Sequence, residues 1–136
     1  MRSAEIEVTT ARTQLADLTS AARDWLSSEG VVGDGLLHVF APHATAGLAL
    51  MELGSGSERD LTELAMRLLP RDDRYRHRHG SPGHGADHLL PVLVSPSISI
   101  PVIAGVPALG TWQSLVLVDF NVDNPRRRVR LSFIPG

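Results

Sequence analysis

Ala4, Ile6, Val8 and Thr10 alternate with Glu5, Glu7 and Thr9. That two-residue period predicts a first strand with one buried face. A helical period follows. Leu15, Leu18, Ala22, Trp25 and Leu26 recur at three- and four-residue spacings, Asp17 falls in the first turn and Gly30 stops the run. The spacing predicts an amphipathic helix over about residues 14–29. The turn Gly33-Asp34-Gly35 leads into a strand from Leu36 to Phe40, and Gly47 to Glu52 reads as its partner. Ser57, followed by Glu58 and Asp60, opens a second helix. Leu61, Leu64, Ala65 and Leu68 form its apolar stripe, and Pro70 ends it.

Further along, Ser97 to Ile103 reads as a strand and Gly105-Val106-Pro107 as a turn. Leu115 to Phe120 and Arg127 to Ile134 read as two strands joined by Asn121 to Pro125, a hairpin pattern. About six strands and two or three helices, with the last strands sequential, predict an α+β fold with a mostly antiparallel sheet. Ser114-Leu115-Val116-Leu117-Val118 is apolar on both faces and must be covered on both. Packing of one sheet on another covers one face, and the second needs a helix or a neighbouring subunit.

Composition narrows the class. A chain of 136 residues with 43% hydrophobic and 21% charged content is read as a single domain over residues 1–136. A net charge of -2 gives no duplex-wide phosphate footprint, so no nucleic-acid partner is expected. Without cysteine there is no disulfide framework and no thiolate chemistry. No apolar run approaches the ~18 residues of a membrane span, and the alternating start does not read as a secretion leader. No membrane partner and a cytoplasmic location are expected.

The chemistry concentrates in histidine. Four of the six histidines lie between His77 and His88, in a stretch too rich in Gly, Pro and charge to be a core element. A fifth, His43, sits in Pro42-His43-Ala44-Thr45-Ala46-Gly47. Imidazole is the commonest metal ligand, and two or three of them converging would suit zinc. His43, His77, His84 and His88 are the constellation, while His79 alone reads as a solvated loop histidine. His84 and His88 would share a face on a helix, but Gly85 argues against a continuous one. His38, on a strand face with Leu36 and Phe40, reads as a satisfied half-buried residue.

Other candidates are more scattered. Glu52 and Asp60 could serve as general base or metal ligand, or Asp60 could simply complement the helix dipole. In Leu109-Gly110-Thr111-Trp112-Gln113 the Thr111 hydroxyl, Gln113 amide and backbone N–H groups could cradle an anion; the plainer account is a tight turn with Trp112 as a core plug. Arg126-Arg127-Arg128 and Arg130 offer forked guanidinium donors to phosphate, against a solvated row of arginines on an edge strand.

Taken together, these residues resemble the YjbQ-like, or secondary thiamine-phosphate synthase, family. The carrying motifs are Pro42-His43-Ala44-Thr45-Ala46, Glu52, Arg59-Asp60, Tyr75-Arg76-His77, His88, Ser97 to Val102, Leu109 to Gln113 and Pro125-Arg126-Arg127-Arg128. The resemblance implies a compact α+β fold of packed antiparallel sheets, a homotrimer, a pocket gathering His43, His77 and His88, and a weak thiamine-phosphate synthase activity. The chain departs from the pattern at Met51, Leu53 to Gly56, His84, Asp87 and Asp119, which alters one wall of the expected pocket.

The expected function is therefore an enzyme acting on a phosphorylated small molecule. Arg59, Thr111, Gln113 and Arg126 or Arg128 would hold phosphate. His43, His77 and His88 would hold a divalent metal, zinc or magnesium, or donate to the leaving group, and Glu52 or Asp60 would orient the ion or a histidine. No organic cofactor is expected. The rivals are a metal-dependent hydrolase and a non-catalytic trimeric metal- or anion-binding module.

Overall fold

A computed structural model describes residues 1–10 and 14–136. The described residues form two antiparallel sheets. Strand β1 (Arg2–Thr9) pairs with β8 (Arg126–Pro135), β8 with β3 (Gly35–Phe40), β3 with β5 (Ser97–Ile103), and β5 with the short β6 (Val106–Pro107). The second sheet has the order β2 (Leu15–Asp17), β7 (Ser114–Val118), β4 (Gly47–Met51). Two longer helices, α1 (Thr19–Ser28) and α2 (Ser57–Leu68), are followed along the chain by two single-turn helices, α3 (His84–Asp87) and α4 (Leu90–Leu93).

Alternation builds the core between the sheets. Leu37 and Val39 of β3, Ile100 and Val102 of β5 and Val129 and Leu131 of β8 turn inward. They meet Leu48, Leu115 and Leu117 of the smaller sheet, with Ala22, Trp25 and Leu26 of α1 in the same cluster. Each fully buried leucine there contributes about 1.5–3 kcal/mol. The other face of β7 carries Val116 and Val118, which pack with Leu90, Phe120 and the Leu61, Ala65 and Leu69 side of α2. Both faces of β7 are thus covered within one chain. Its two-faced apolar pattern calls for a helix, and by itself gives no ground for a neighbouring subunit.

The structure corrects the sequence reading in three places. The first helix begins at Thr19. Leu15–Asp17 instead forms β2, with Leu15 opposite Val118 and Asp17 opposite Val116. Asp17 then accepts the Thr19 N–H at 2.9 Å, and the Thr19 hydroxyl accepts the Leu115 N–H at 2.9 Å, so strand pairing overrides local helical spacing. The turn before β6 is Ala104–Gly105, both at positive φ, and Val106–Pro107 returns onto β5. Lastly, β7 and β8 are not a hairpin, because they belong to different sheets. Asn121 to Pro125 crosses from one layer to the other, carrying polar groups past the end of the core. Strand β8 is also internal, between β1 and β3, so its arginines do not sit on an edge.

Candidate metal centre

Beyond α2 the chain turns repeatedly until α3, and three glycines give it room. Gly80 and Gly83 have φ of 81° and 89°, values that favour glycine. A Cβ at Gly80 would strike the His84 ring, one at Gly83 the Arg71 guanidinium, and one at Gly85 the His77 carbonyl and the Tyr75 side chain. Gly85 therefore does not prevent a helical turn. It lets α3 lie against the preceding loop, and one turn suffices to bring His84 and His88 to the same side. Gly83→Ala combines a left-handed backbone with a collision, so it should lower stability by about 1–3 kcal/mol. A urea melt indistinguishable from the wild type would show that the loop accommodates a side chain there.

Four rings meet. Ring centroids are 4.1 Å apart for His77–His79, 4.2 Å for His77–His88, 4.7 Å for His79–His84 and 4.6 Å for His84–His88. His77 and His84 stack at 5.1 Å. The ligand nitrogens of His77, His79 and His84 all lie within 4.8 Å of one another. Zinc with bonds of about 2.1 Å places tetrahedral ligands roughly 3.4 Å apart, a spacing about 1.4 Å inside that limit. His79, read from sequence as solvated, belongs to this group although it is exposed. A cleft of about 210 Å³ beside the rings is lined by Asp72, Asp73, Arg78 and the loop from Gly80 to Gly85.

A carboxylate stands behind the rings. Asp123, on the β7–β8 crossing, has Oδ2 2.9 Å from His84 Nδ1 and accepts the Ser81 hydroxyl at 3.0 Å. With Nδ1–H donating to that carboxylate, His84 Nε2 keeps its lone pair. His88 Nε2 lies 3.0 Å from it. Asp123 was not singled out in the sequence, where it is one acidic residue among several in a loop.

Below the cluster runs a buried polar chain. Arg127 donates to both oxygens of Asp119, at 2.6 and 3.0 Å, and to the Thr45 hydroxyl at 2.8 Å. Asp119 also accepts the Thr10 hydroxyl at 2.8 Å and the Asn121 N–H at 3.0 Å. Asn121 Nδ2 donates to Asp87 Oδ2 at 3.0 Å, and Arg71 forks onto both oxygens of Asp87. Of the arginine run, the middle member is thus the buried one. Its signal in the sequence was parity alone: Arg127 shares a strand face with Val129 and Leu131.

Burial lowers the pKa of His77 below the ordinary 6.5, and the neighbouring imidazoles of His79 and His84 push the same way. His88 is lowered by burial and then by His77, His84 and His79, against a raising contribution from the Asp87 carboxylate. Asp123 is lowered chiefly by its bond to His84. A histidine with a depressed folded pKa stays neutral where the unfolded chain has begun to protonate. Stability from this region should accordingly hold above pH 6.5 and fall on acidification below it. Imidazole proton signals of His77 and His88 that titrate at or above 6.5 would contradict this.

The other candidates are dispersed. His43 makes no ring contact with the cluster among the described residues. Its Nε2 sits 3.0 Å from both the N–H and the carbonyl oxygen of Arg128, and burial lowers its pKa. Within one chain, the rings in contact with His77 and His88 are those of His79 and His84, and His43 is not among them in the described residues. Gly47 lies opposite Val118 and Met51 opposite Ser114. Glu52 and the Thr111-Trp112-Gln113 turn therefore stand at one end of the smaller sheet, and Asp119 with the histidines at the other. Four residue steps at about 3.3 Å put roughly 13 Å between the ends, so that turn is not beside the cluster.

Gln113 Oε1 closes its own turn by accepting the Gly110 N–H at 2.8 Å. Trp112 is 73% exposed, not a core plug. Glu52 accepts the Ser55 hydroxyl, Arg59 pairs with Glu63 on the helix surface, and Asp60 lies in the exposed first turn of α2. Arg128 pairs with Glu5 at 3.4 Å, and Arg126 is exposed at the start of β8. His38 is satisfied by Ser99 at 3.0 Å.

Comparison with known proteins places this geometry. Residues 4–136 match the family model described as UPF0047 protein YjbQ-like. A UPF0047 protein of Mycobacterium bovis is 60% identical over 131 residues, which cover 96% of this chain and 99% of the relative. A crystal structure of a hypothetical protein from Aeropyrum pernix superposes with a TM-score of 0.88 at 31% identity over the whole of both chains. A YbjQ-like protein of unknown function from Sulfolobus solfataricus shares the fold, with a TM-score of 0.88 at 23% identity over 99% of this chain and 97% of that one. Among the described residues, no helix is long and apolar enough to cross a membrane.

Proposed function

The chain belongs to the UPF0047 YjbQ-like family, and from that footing we propose that it is an enzyme acting on a phosphorylated small molecule at a divalent-metal centre. The carrying observation is the convergence of His77, His79 and His84 with Asp123 behind His84. Three imidazole nitrogens suit zinc far better than magnesium, which takes oxygen ligands. A divalent ion held there would polarise a phosphoryl oxygen and make a water more acidic. The carboxylate fixes the His84 ring and its tautomer.

Neutral imidazoles cancel none of the ion's charge, so the centre would call for an anion. Arg78 lines the cleft, with its Nε anchored 2.8 Å from the Tyr75 carbonyl oxygen. Its remaining N–H groups would be the donors offered to a phosphoryl oxygen.

Two reactions fit. Thiamine-phosphate formation is the one carried by resemblance. Phosphoester hydrolysis is favoured by the Asp123–His84 pair, an arrangement suited to a metal that activates water. Zinc-loaded protein should release nitrophenol from nitrophenyl phosphate in the second case, or join a pyrimidine diphosphate to a thiazole phosphate in the first. Phosphate binding without either turnover would leave a non-catalytic module. A protein that takes up no zinc overturns the metal centre.

Assembly as a homotrimer belongs to the same proposal. It is supported by Leu36, Phe40, Ile103 and Ile134, exposed on the outward face of the five-stranded sheet. Light scattering should read about three times 14.7 kDa, and a species of 14.7 kDa would remove it.

A further inference from the structure

Asp87 is 1% exposed on a helix of a single turn. Burying a carboxylate is expensive, and an ion pair seldom recovers more than an apolar pair of the same shape would contribute. Stability alone is therefore a weak reason for an aspartate at this position. Its surroundings suggest another. Arg71, just beyond α2, forks onto both Asp87 oxygens and reaches the Pro82 carbonyl oxygen. Asn121, from the crossing between the sheets, donates to the same carboxylate at 3.0 Å. Two separate segments thus grip the helical turn that carries His84 at its start and has His88 directly after it.

The grip has a geometric task. His84 and His88 hold their Nε2 atoms 3.0 Å apart, and a four-residue helical turn is too short to hold two rings to that tolerance by its own backbone bonds. The glycine at 83 leaves the space in which the guanidinium lies.

We infer that Asp87, clamped by Arg71 and Asn121, is a positioning residue of the histidine centre, fixing the face of α3 so that His84 enters the metal set with its ring already aimed. The inference rests on the metal reading above. Asp87 touches neither ion nor substrate in this role. It acts through the helix.

Zinc affinity, measured by competition with a chromophoric chelator, separates positioning from plain stability. The double variant Arg71→Met, Asp87→Leu replaces the ion pair by apolar groups of similar size and should keep its melting temperature within a few degrees of the wild type. Its zinc affinity should nevertheless fall about 10- to 100-fold, the usual effect of losing a group that orients a ligand. The absorption spectrum of bound cobalt should change as well, since it reports ligand geometry. Asp87→Asn keeps the shape, removes one charge and should fall in the same direction by a smaller factor.

Wild-type affinity and an unchanged cobalt spectrum in either folded variant would overturn the positioning role while leaving the metal centre standing. A wild-type protein that binds neither zinc nor cobalt would instead overturn the centre itself, and the clamp's role with it.

Discussion

His84→Ala should leave the chain folded and, at the proposed metal centre, lower zinc affinity by more than about 100-fold. The ring is the junction of the site. It contacts His77, His79 and His88, and among the described residues it is the ring of the four that bonds a carboxylate. Truncation removes a ligand outright, a larger loss than the ~10–100-fold that follows removal of an orienting partner. Asp123→Asn supplies that smaller step as an internal comparison, because it weakens the orientation of His84 while the ligand stays. His43→Ala should bind zinc like the wild type, since its ring is held at the Arg128 backbone and is not one of the three whose nitrogens converge among the described residues. Any hydrolytic or transferase turnover should vanish with His84. If the His84 variant retains wild-type affinity, or the His43 variant loses it, the ligand set has been assigned to the wrong residues.

The largest effect on stability is expected from Arg127→Ala, a loss of about 3–5 kcal/mol. Arg127 is 2% exposed and gives three hydrogen bonds inside the core, two of them to Asp119, which is itself 2% exposed. Truncation would strand a buried carboxylate with the Thr10 hydroxyl and the Asn121 N–H as its remaining donors. Asp119→Asn is milder, because the amide oxygen can still accept from the guanidinium. A chemical melt showing less than 1 kcal/mol of change for Arg127→Ala would mean that water reaches Asp119 and that the pair is not the keystone its burial indicates. By contrast Arg128→Ala, on the outward face and paired with Glu5, should change stability by roughly 0–1 kcal/mol.

The period-two pattern of Ala4 to Thr10, the strand Ser97 to Ile103 and the second helix up to Pro70 could be read directly, because each element's burial follows from its own repeat. So could the concentration of imidazole between His77 and His88. Position by position the reading was weaker. Glycine at 85 spoke against the turn that aligns His84 with His88, and glycine at 83 gave no hint of the arginine resting on it. Each glycine is explained only by an atom many residues distant.

By itself the sequence determined the α+β class, the mostly antiparallel character and the segment that carries the chemistry, since hydrophobic period and composition are local properties of the chain. Tertiary structure decided which histidines meet. It drew His79 into the cluster, held His43 at the Arg128 backbone, and sent the Asn121 to Pro125 crossing between sheets so that Asp123 came up behind His84. It also made Arg127 the core member of an arginine run whose neighbours stay in solvent. A buried polar group must find a partner wherever the fold supplies one. The partner's place in the sequence is therefore set by sheet order and layer packing, which no window along the chain contains.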